Sequence, residues 1–269
     1  MARQLLGNVP VGSVIQLKED NVLTDFYVAK HDYEFELNGF GRTLLVRKEV
    51  LYGSSAWNAL DTMEIERNIY EGSTLDKKLS SYRGRLDSSV ATAMGTTKFY
   101  YTPGETNLKK SVLQRSVFSL SGTELGFSAN YLNVEGSALP IAETLKTATY
   151  NGKATGQHTR SPYTDSSYGS VWDVNGAGGL YRIYTSEQNN IRPAFTLPES
   201  VYINDDGTVT EDNTPKTLGS KQIGRIVRFE MGGVMRSFIV VHQGKPGDMY
   251  DDSCDGTWLL IEDIYEKRI

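Results

Sequence analysis

Short, mostly apolar runs separated by polar residues stand at both ends of the chain. Residues 13–17 and 23–30 predict two β-strands joined by a short turn, because they are rich in β-branched and aromatic residues. Residues 43–47 predict a third strand that returns beside them. The same pattern recurs near the C-terminus, in residues 225–229, 235–242 and 257–261.

The two ends are also related in sequence. Residues 6–29 match residues 218–241 without a gap, and six of these 24 positions are identical. A second block, residues 43–50, matches residues 257–264 with two more residues in the intervening loop. Such a repeat predicts one supersecondary unit used twice.

This repeat predicts the domain organisation. We expect a first domain over residues 1–203, a linker over residues 204–217, and a β-rich half-module over residues 218–269 that repeats residues 6–52. A three-stranded half-module exposes an apolar face unless another surface covers it, so we expect it to pack in cis or to assemble with a partner.

In the middle of the chain the spacing of apolar residues changes. Ser73 predicts the N-cap of an amphipathic helix, and Asp87 the N-cap of a second, shorter helix. From Tyr150 to Gly179 glycine, serine, threonine, asparagine and aspartate dominate, which predicts a long surface loop. Further strands are predicted over residues 98–102, 116–120, 125–127, 180–184 and 194–197.

Composition narrows the classes of partner. The net charge is -5 and the isoelectric point about 5.4, so no positive field attracts nucleic acid. No apolar stretch predicts membrane insertion or a signal peptide, and the use of a single cysteine indicates synthesis in a reducing cytoplasm. Cys254 is the only cysteine and excludes an intrachain disulfide. The 16 tyrosines are typical either of a recognition surface or of tyrosine-rich strands.

Several short signatures resemble a known family. They are Val11-Gly12-Ser13, residues 119–126 (SLSGTELG), residues 159–162 (TRSP) and residues 192–195 (RPAF), with residues 241–244 (VHQG) and 254–264 in the second copy. Together they resemble a domain of unknown function found in anaerobic bacteria and their phages, often in tandem copies. Gln157-His158 departs from the aromatic pair that often precedes TRSP.

The resemblance implies a fold and a role. It implies an α+β, C-type-lectin-like fold, in which a mixed, mostly antiparallel sheet is flanked by two helices and long loops bind the ligand. The expected function is that of a non-catalytic phage virion component: a tail, fibre or surface decoration subunit. Such a subunit would form a homo-oligomer and bind a host surface ligand or glycan through residues 150–190. The alternative is a purely architectural virion subunit with no host ligand.

Candidate contact residues lie in the predicted loop, where aromatic rings alternate with short polar groups suited to sugars or protein epitopes. They are Tyr163, Asp165, Tyr168, Trp172, Asp173, Asn175 and Tyr181. Covering the core is the alternative role for Trp172 and Tyr181. We expect Arg160 and Arg192 to be structural, with their guanidinium groups bound to carbonyls or to a carboxylate such as Glu124.

Catalytic and metal sites have little support. The three histidines lie far apart in sequence, and no nucleophile elbow or phosphate loop occurs, so we predict no enzyme and no cofactor. One weak match to a calcium loop consists of Asp251, Ser253, Asp255 and Glu262. The apolar run between the last two predicts a strand, which disfavours calcium binding.

Overall fold

The computed structural model describes residues 3–59, 68–104, 107–165, 169–211, 221, 223–231, 234–251, 253 and 255–262. It divides into two compact units, Met1–Asp212 and Asn213–Ile269, called here the first and second units. No helix among the described residues has the length and apolar character required to cross a bilayer.

Strands predominate in the described residues. The strands are β1 (Gln4–Leu5), β2 (Val14–Glu19), β3 (Val22–Lys30), β4 (Arg42–Arg47), β5 (Ser55–Ala56), β6 (Thr97–Tyr101), β7 (Ser111–Arg115), β8 (Ala148–Tyr150), β9 (Lys153–Thr155), β10 (Gln157–Pro162), β11 (Ser170–Val174), β12 (Leu180–Tyr184), β13 (Gln188–Asn189), β14 (Ala194–Pro198), β15 (Val201–Ile203), β16 (Val209–Glu211), β17 (Ile226–Met231), β18 (Val234–Gln243) and β19 (Thr257–Ile261). The α-helices are α1 (Phe35–Asn38), α2 (Thr74–Tyr82), α3 (Ser88–Met94) and α4 (Ala142–Lys146), and short 3-10 turns cover Leu6–Asn8 and Arg83–Arg85.

The expected C-type-lectin-like fold is wrong, whereas the coarser expectation of an α+β chain is roughly consistent with the structure. The described residues form several small antiparallel sheets, with four α-helices of four to nine residues, in place of one mixed sheet between two helices. The largest sheet of the first unit has the order β14-β4-β3-β2. The strand content exceeds the expectation because several polar segments, whose composition is typical of loops, form strands.

The predicted helix caps are confirmed. The Ser73 hydroxyl accepts a hydrogen bond from the Asp76 amide at 3.1 Å, and the Asp87 carboxylate accepts one from Ser89 at 2.9 Å. Each cap satisfies a backbone N–H that has no partner within its own helix. Helices α2 and α3 bury their apolar side chains in the core that also contains Phe26.

The core of the first unit lies against the four-stranded sheet. Phe26 and Phe195 meet edge to face at a centroid distance of 5.4 Å. Leu44, Leu45 and Val46 of β4 are all fully buried, so both faces of this strand are covered. Strand β14 pairs with β4 along its outer edge and completes the sheet.

Residues 201–211, which overlap the predicted linker, form a hairpin. Strands β15 and β16 pair with each other, and β15 also pairs with β1. The carbonyl of Gly207, in the hairpin turn, accepts a hydrogen bond from the Lys18 amide at 2.9 Å. This hairpin therefore lies within the first unit.

The sequence repeat corresponds to a structural repeat. Strands β17, β18 and β19 form an antiparallel sheet in the same order as β2, β3 and β4. Gly12 and Gly224, 212 positions apart, both have positive φ and donate to the carbonyls of Val28 and Val240 at 2.8 and 2.7 Å. The register also shifts at one equivalent place, after Val28 in one sheet and after Val240 in the other.

Candidate functional site

The antiparallel sheet β10-β11-β12 of the first unit positions the candidate site. Successive side chains of a strand point to opposite faces, so each strand contributes to two surfaces. In the pairing of β11 with β12, Trp172 lies opposite Arg182, and Ser170 lies opposite Tyr184. These four residues therefore share one face of the sheet.

On this face an aromatic–arginine patch forms, defined by Tyr131, Tyr163, Trp172, Arg182 and Tyr184. The ring of Tyr163 lies 5.2 Å from that of Tyr131 and 4.8 Å from that of Trp172, centroid to centroid. The guanidinium carbon of Arg182 lies 4.9 Å from the Tyr163 ring and 5.9 Å from the Tyr184 ring. Tyr131 and Tyr184 are exposed to 53% and 60%, so the patch faces solvent.

Backbone and side-chain hydrogen bonds hold the patch in place. The carbonyl of Tyr131 accepts from the Trp172 indole N–H at 2.9 Å and from the Thr164 amide at 3.0 Å. The Arg182 Nε donates to the Ser170 hydroxyl at 2.9 Å. Tyr131 itself has a φ of 63°, a conformation that costs about 1 kcal/mol or more for a residue other than glycine. A site ordered before it meets a ligand loses less entropy on binding.

The patch has the chemistry of a recognition surface. Tryptophan, tyrosine and arginine are the residue types that contribute most to binding energy in protein interfaces. An aromatic ring stacks on apolar ligand faces, and a guanidinium binds carboxylates and other anions through paired N–H groups. The patch can therefore bind a ligand that combines a flat apolar face with a polar or anionic group.

The opposite face of the sheet is closed. Asp173, one of the predicted contact residues, is fully buried and pairs with the Nδ1 of His158 at 2.8 Å. It also accepts a hydrogen bond from the Asn189 amide at 2.8 Å. The Nε2 of His158 lies 2.7 Å from the carbonyl of Ser55, so both ring nitrogens face hydrogen-bond acceptors. Asp173 thus lies in the interior, away from any surface that could receive a ligand.

The charge state of His158 follows from this arrangement. Burial alone would lower the pKa of His158, but the Asp173 carboxylate and the Ser55 carbonyl favour the protonated ring. The net result is a pKa raised above the usual value for histidine. A protonated ring donates from both nitrogens, which is the arrangement that its two partners require.

The remaining predicted contact residues have other surroundings. The side chain of Asn175 accepts from the amides of Ala177 and Gly179, at 2.9 Å each, and so stabilises the turn before β12. Tyr181 is half-buried, and its hydroxyl lies 3.4 Å from the Asn189 amide nitrogen on the closed side. Asp165 is half-buried, and Tyr168 lies outside the described residues.

Arg160 is fully buried beneath this region. Its Nη1 lies 2.6 Å from the Glu124 carboxylate, and its guanidinium also donates to the carbonyls of Tyr100 and Ser119 at 2.8 Å each. Burial by itself lowers the pKa of Arg160, but the nearby Glu124 charge more than offsets this and the pKa is raised. Tyr33 donates to the other oxygen of Glu124 at 2.5 Å.

Arg192 is buried in a similar way. It donates to the carbonyls of Arg47 and Lys48 at 2.8 Å each and to that of Leu145 at 2.9 Å. Burial lowers the pKa of Arg192 to about 10. Its hydrogen bonds join the end of β4 to the end of α4, so Arg192 links segments that are distant in sequence.

The sequence interpretation missed Tyr131, Arg182 and Tyr184. The last two could have been found, because every second residue of β12 follows the face that Trp172 occupies on β11. Tyr131 carries no such signal. It reaches the patch through a loop whose position depends on its hydrogen bonds with Trp172 and Thr164.

The weak calcium-loop match is not assembled in the structure. Asp251 accepts a hydrogen bond from the Ser253 amide at 2.9 Å in a local turn. Strand β19 separates Asp255 from Glu262, and five extended residues span roughly 16 Å. No group of three or more histidine, cysteine or acidic side chains in the described part of the chain could hold a metal ion.

Comparison with known families adds one finding. Residues 40–199, more than half of the chain, match the model of a domain of unknown function, DUF6273. The chain belongs to this family. The DUF6273 match includes β10 to β14, and with them the whole aromatic–arginine patch and the buried Arg160 and Arg192. No curated protein and no solved structure matches the chain significantly.

Proposed function

We propose that the chain is a non-catalytic binding module and that the aromatic–arginine patch is its recognition surface. The single observation that carries this proposal is the patch itself: three neighbouring aromatic rings, a fourth beside Arg182, and the arginine between two tyrosines. Their positions are set by strand pairing and by hydrogen bonds to the backbone, as expected for a surface that is ordered before binding.

The proposed setting is a phage-type particle. In it the chain serves as a tail, fibre or decoration subunit, and the patch contacts a glycan or protein on the host surface. Support comes from the short signatures that resemble the phage-associated family and from the exposure of the patch. The ligand would present a ring or another flat apolar face to Tyr163 and Trp172, and a polar or anionic group to Arg182.

A glycan array and a host-cell binding assay test this proposal. We expect Arg182→Ala and Tyr184→Ala each to weaken binding by about tenfold or more, since each removes an exposed contact. Both side chains are exposed, so the free energy of unfolding of each variant should lie within about 0.5 kcal/mol of that of the parent. Tyr52→Ala is the matched control, because Tyr52 is an aromatic residue exposed to 85% and lies outside the patch.

The results separate the alternatives. Absence of glycan and cell binding by the intact chain would contradict the recognition proposal, as would equal loss of binding in the Tyr52→Ala control. In the first case a purely architectural subunit becomes the preferred function. The exposed apolar side chains on the sheet of the second unit, such as Phe229 and Leu260, are the observation that favours that second candidate.

A further inference from the structure

Arg182, in the aromatic–arginine patch, has hydrogen-bonding capacity that the fold does not use. A guanidinium carries five N–H donors. In the part of the chain that the structure describes, this side chain donates only from Nε, to the Ser170 hydroxyl at 2.9 Å, and has no ion-pair partner. The N–H groups of Nη1 and Nη2 therefore remain for a ligand.

Other arginines of the first unit are used by the scaffold. Arg47, Arg115 and Arg160 each form an ion pair with a carboxylate of the same unit. Arg192 is buried and donates to backbone carbonyls. Arg182 is exposed instead, so the patch presents a positive charge to solvent in a chain whose net charge is -5.

The orientation of the Arg182 guanidinium is set by its neighbours. Its central carbon lies 4.9 Å from the Tyr163 ring and 5.9 Å from the Tyr184 ring, and Nε is bound to the buried Ser170. Because Nε is occupied, the edge formed by Nη1 and Nη2 is the one that can make two parallel hydrogen bonds to a carboxylate. A guanidinium held in this way loses little further freedom when it binds.

We propose that the ligand of the aromatic–arginine patch is an acidic saccharide, and that Nη1 and Nη2 of Arg182 bind the carboxylate of a uronic acid residue. This inference rests on the proposed function and narrows it to one class of ligand. The C–H face of the sugar ring stacks on Tyr163 and Trp172, and the tyrosine hydroxyls can hydrogen-bond to its hydroxyl groups.

The size and charge of the patch favour this class. The rings of Tyr131 and Trp172 and the guanidinium carbon of Arg182 all lie within 5.2 Å of the centre of the Tyr163 ring. This compact area fits one or two sugar residues, whereas a stable protein interface takes about 800 Å² from each partner. The single cation of the patch matches the single charge of a carboxylate, whereas phosphate groups are bound by clusters of arginines.

Isothermal titration calorimetry of the full chain tests this inference. The probes are oligosaccharides of glucuronic, galacturonic and mannuronic acid, each as the acid and as its methyl ester, which keeps the ring and removes the charge. We expect at least one acid to bind about tenfold or more tightly than its ester, because a hydrogen bond to a charged group contributes more than a neutral one. Equal affinity for acid and ester in every pair, or binding of none of the six, would overturn the inference.

Three variants make the test specific to Arg182. Arg182→Gln removes the charge and should bind acid and ester equally well. Arg182→Lys keeps the charge but loses the paired donors, so it should bind the acid more weakly than the parent does. Lys77→Gln is the charge-matched control, because Lys77 is exposed on α2 outside the patch, and it should keep the preference of the parent. A preference for the acid that persists in Arg182→Gln, or that disappears in Lys77→Gln, would overturn the inference.

The glycan array and the cell-binding assay separate a failure of this inference from a failure of the proposed function. Binding to neutral glycans alone, if it is lost in Arg182→Ala, would overturn the acidic ligand and keep the patch as a recognition surface. Binding to sulfated or phosphorylated glycans alone would do the same. Cell binding that survives periodate oxidation of the surface sugars would indicate a protein ligand and would also overturn the inference. Absence of all glycan and cell binding contradicts both.

Discussion

Glu124→Gln removes the negative charge that compensates Arg160 in the interior of the first unit. Both side chains have no solvent exposure, and the distance between Arg160 Nη1 and Glu124 Oε2 is 2.6 Å. The amide of glutamine preserves size: its oxygen can still accept from Arg160 and from the Ser121 amide, and its NH2 group can donate to the Tyr33 hydroxyl. The substitution therefore changes the charge of the cluster while it alters the packing little.

The expected loss in the free energy of unfolding follows from the burial of the Arg160–Glu124 ion pair. Removing one partner of a buried ion pair typically costs about 3–5 kcal/mol, because the other charge remains in the interior without compensation. The carbonyls of Tyr100 and Ser119 still accept from Arg160, so we expect a value near 3 kcal/mol. Glu143→Gln is the matched control: its pair with Lys146 is exposed, and such pairs contribute about 0–1 kcal/mol.

Urea unfolding followed by tryptophan fluorescence measures the difference. Trp57 and Trp172 belong to the first unit and Trp258 to the second, so a Trp258→Phe background reports on the first unit alone. The double variant Glu124→Gln/Arg160→Met should regain part of the lost free energy of unfolding, since it removes the buried charge whose ion-pair partner is gone. A loss below about 1 kcal/mol for Glu124→Gln, or a loss equal to that of Glu143→Gln, would refute the reasoning.

Three further predictions concern the first unit. Gly207→Ala should cost at least about 2 kcal/mol more than Gly53→Ala in urea unfolding: both have positive φ, but a Cβ at Gly207 would lie 2.6 Å from other atoms. Ser73→Ala removes a helix cap and should lower the free energy of unfolding by about 1 kcal/mol. The raised pKa of His158 means that protonation of this ring stabilises the fold fully below about pH 6.5. This stabilisation is lost as the pH rises through the raised pKa. The urea midpoint should therefore fall as the pH increases from about 6.5 through that pKa. His158→Gln should flatten this pH dependence, and an unchanged slope would contradict the protonated pair with Asp173.

The elements with a strong local signal were predictable from sequence. Ser73 and Asp87 mark helix starts because their side chains accept from nearby amides, an interaction within a few residues. The repeat was also visible, because two copies of one sheet need apolar side chains at the same positions. The strand predicted over residues 98–102 corresponds to β6, one residue earlier.

The middle of the chain was not predictable in the same way. Residues 150–179 have the composition of a loop, yet they include β10, in which all six residues are buried. Their polar side chains are satisfied by distant partners, such as Glu124 for Arg160 and Asp173 for His158. Amino-acid composition indicates how polar a segment is but not whether it is buried. A buried polar strand and an exposed loop therefore have similar compositions. The same error placed Asp173 among the ligand contacts.

The location of the TRSP and RPAF segments has a consequence for the comparison of this chain with other members of the family. Arg160 and Arg192, the charged residues of these signatures, are enclosed in the scaffold, whereas Tyr131, Arg182 and Tyr184 of the patch lie outside both motifs. Under the proposed function, a chain that shares these two segments therefore shares the scaffold but not the binding specificity. The proposal implies that relatives are best grouped by the residues that stand at the patch positions.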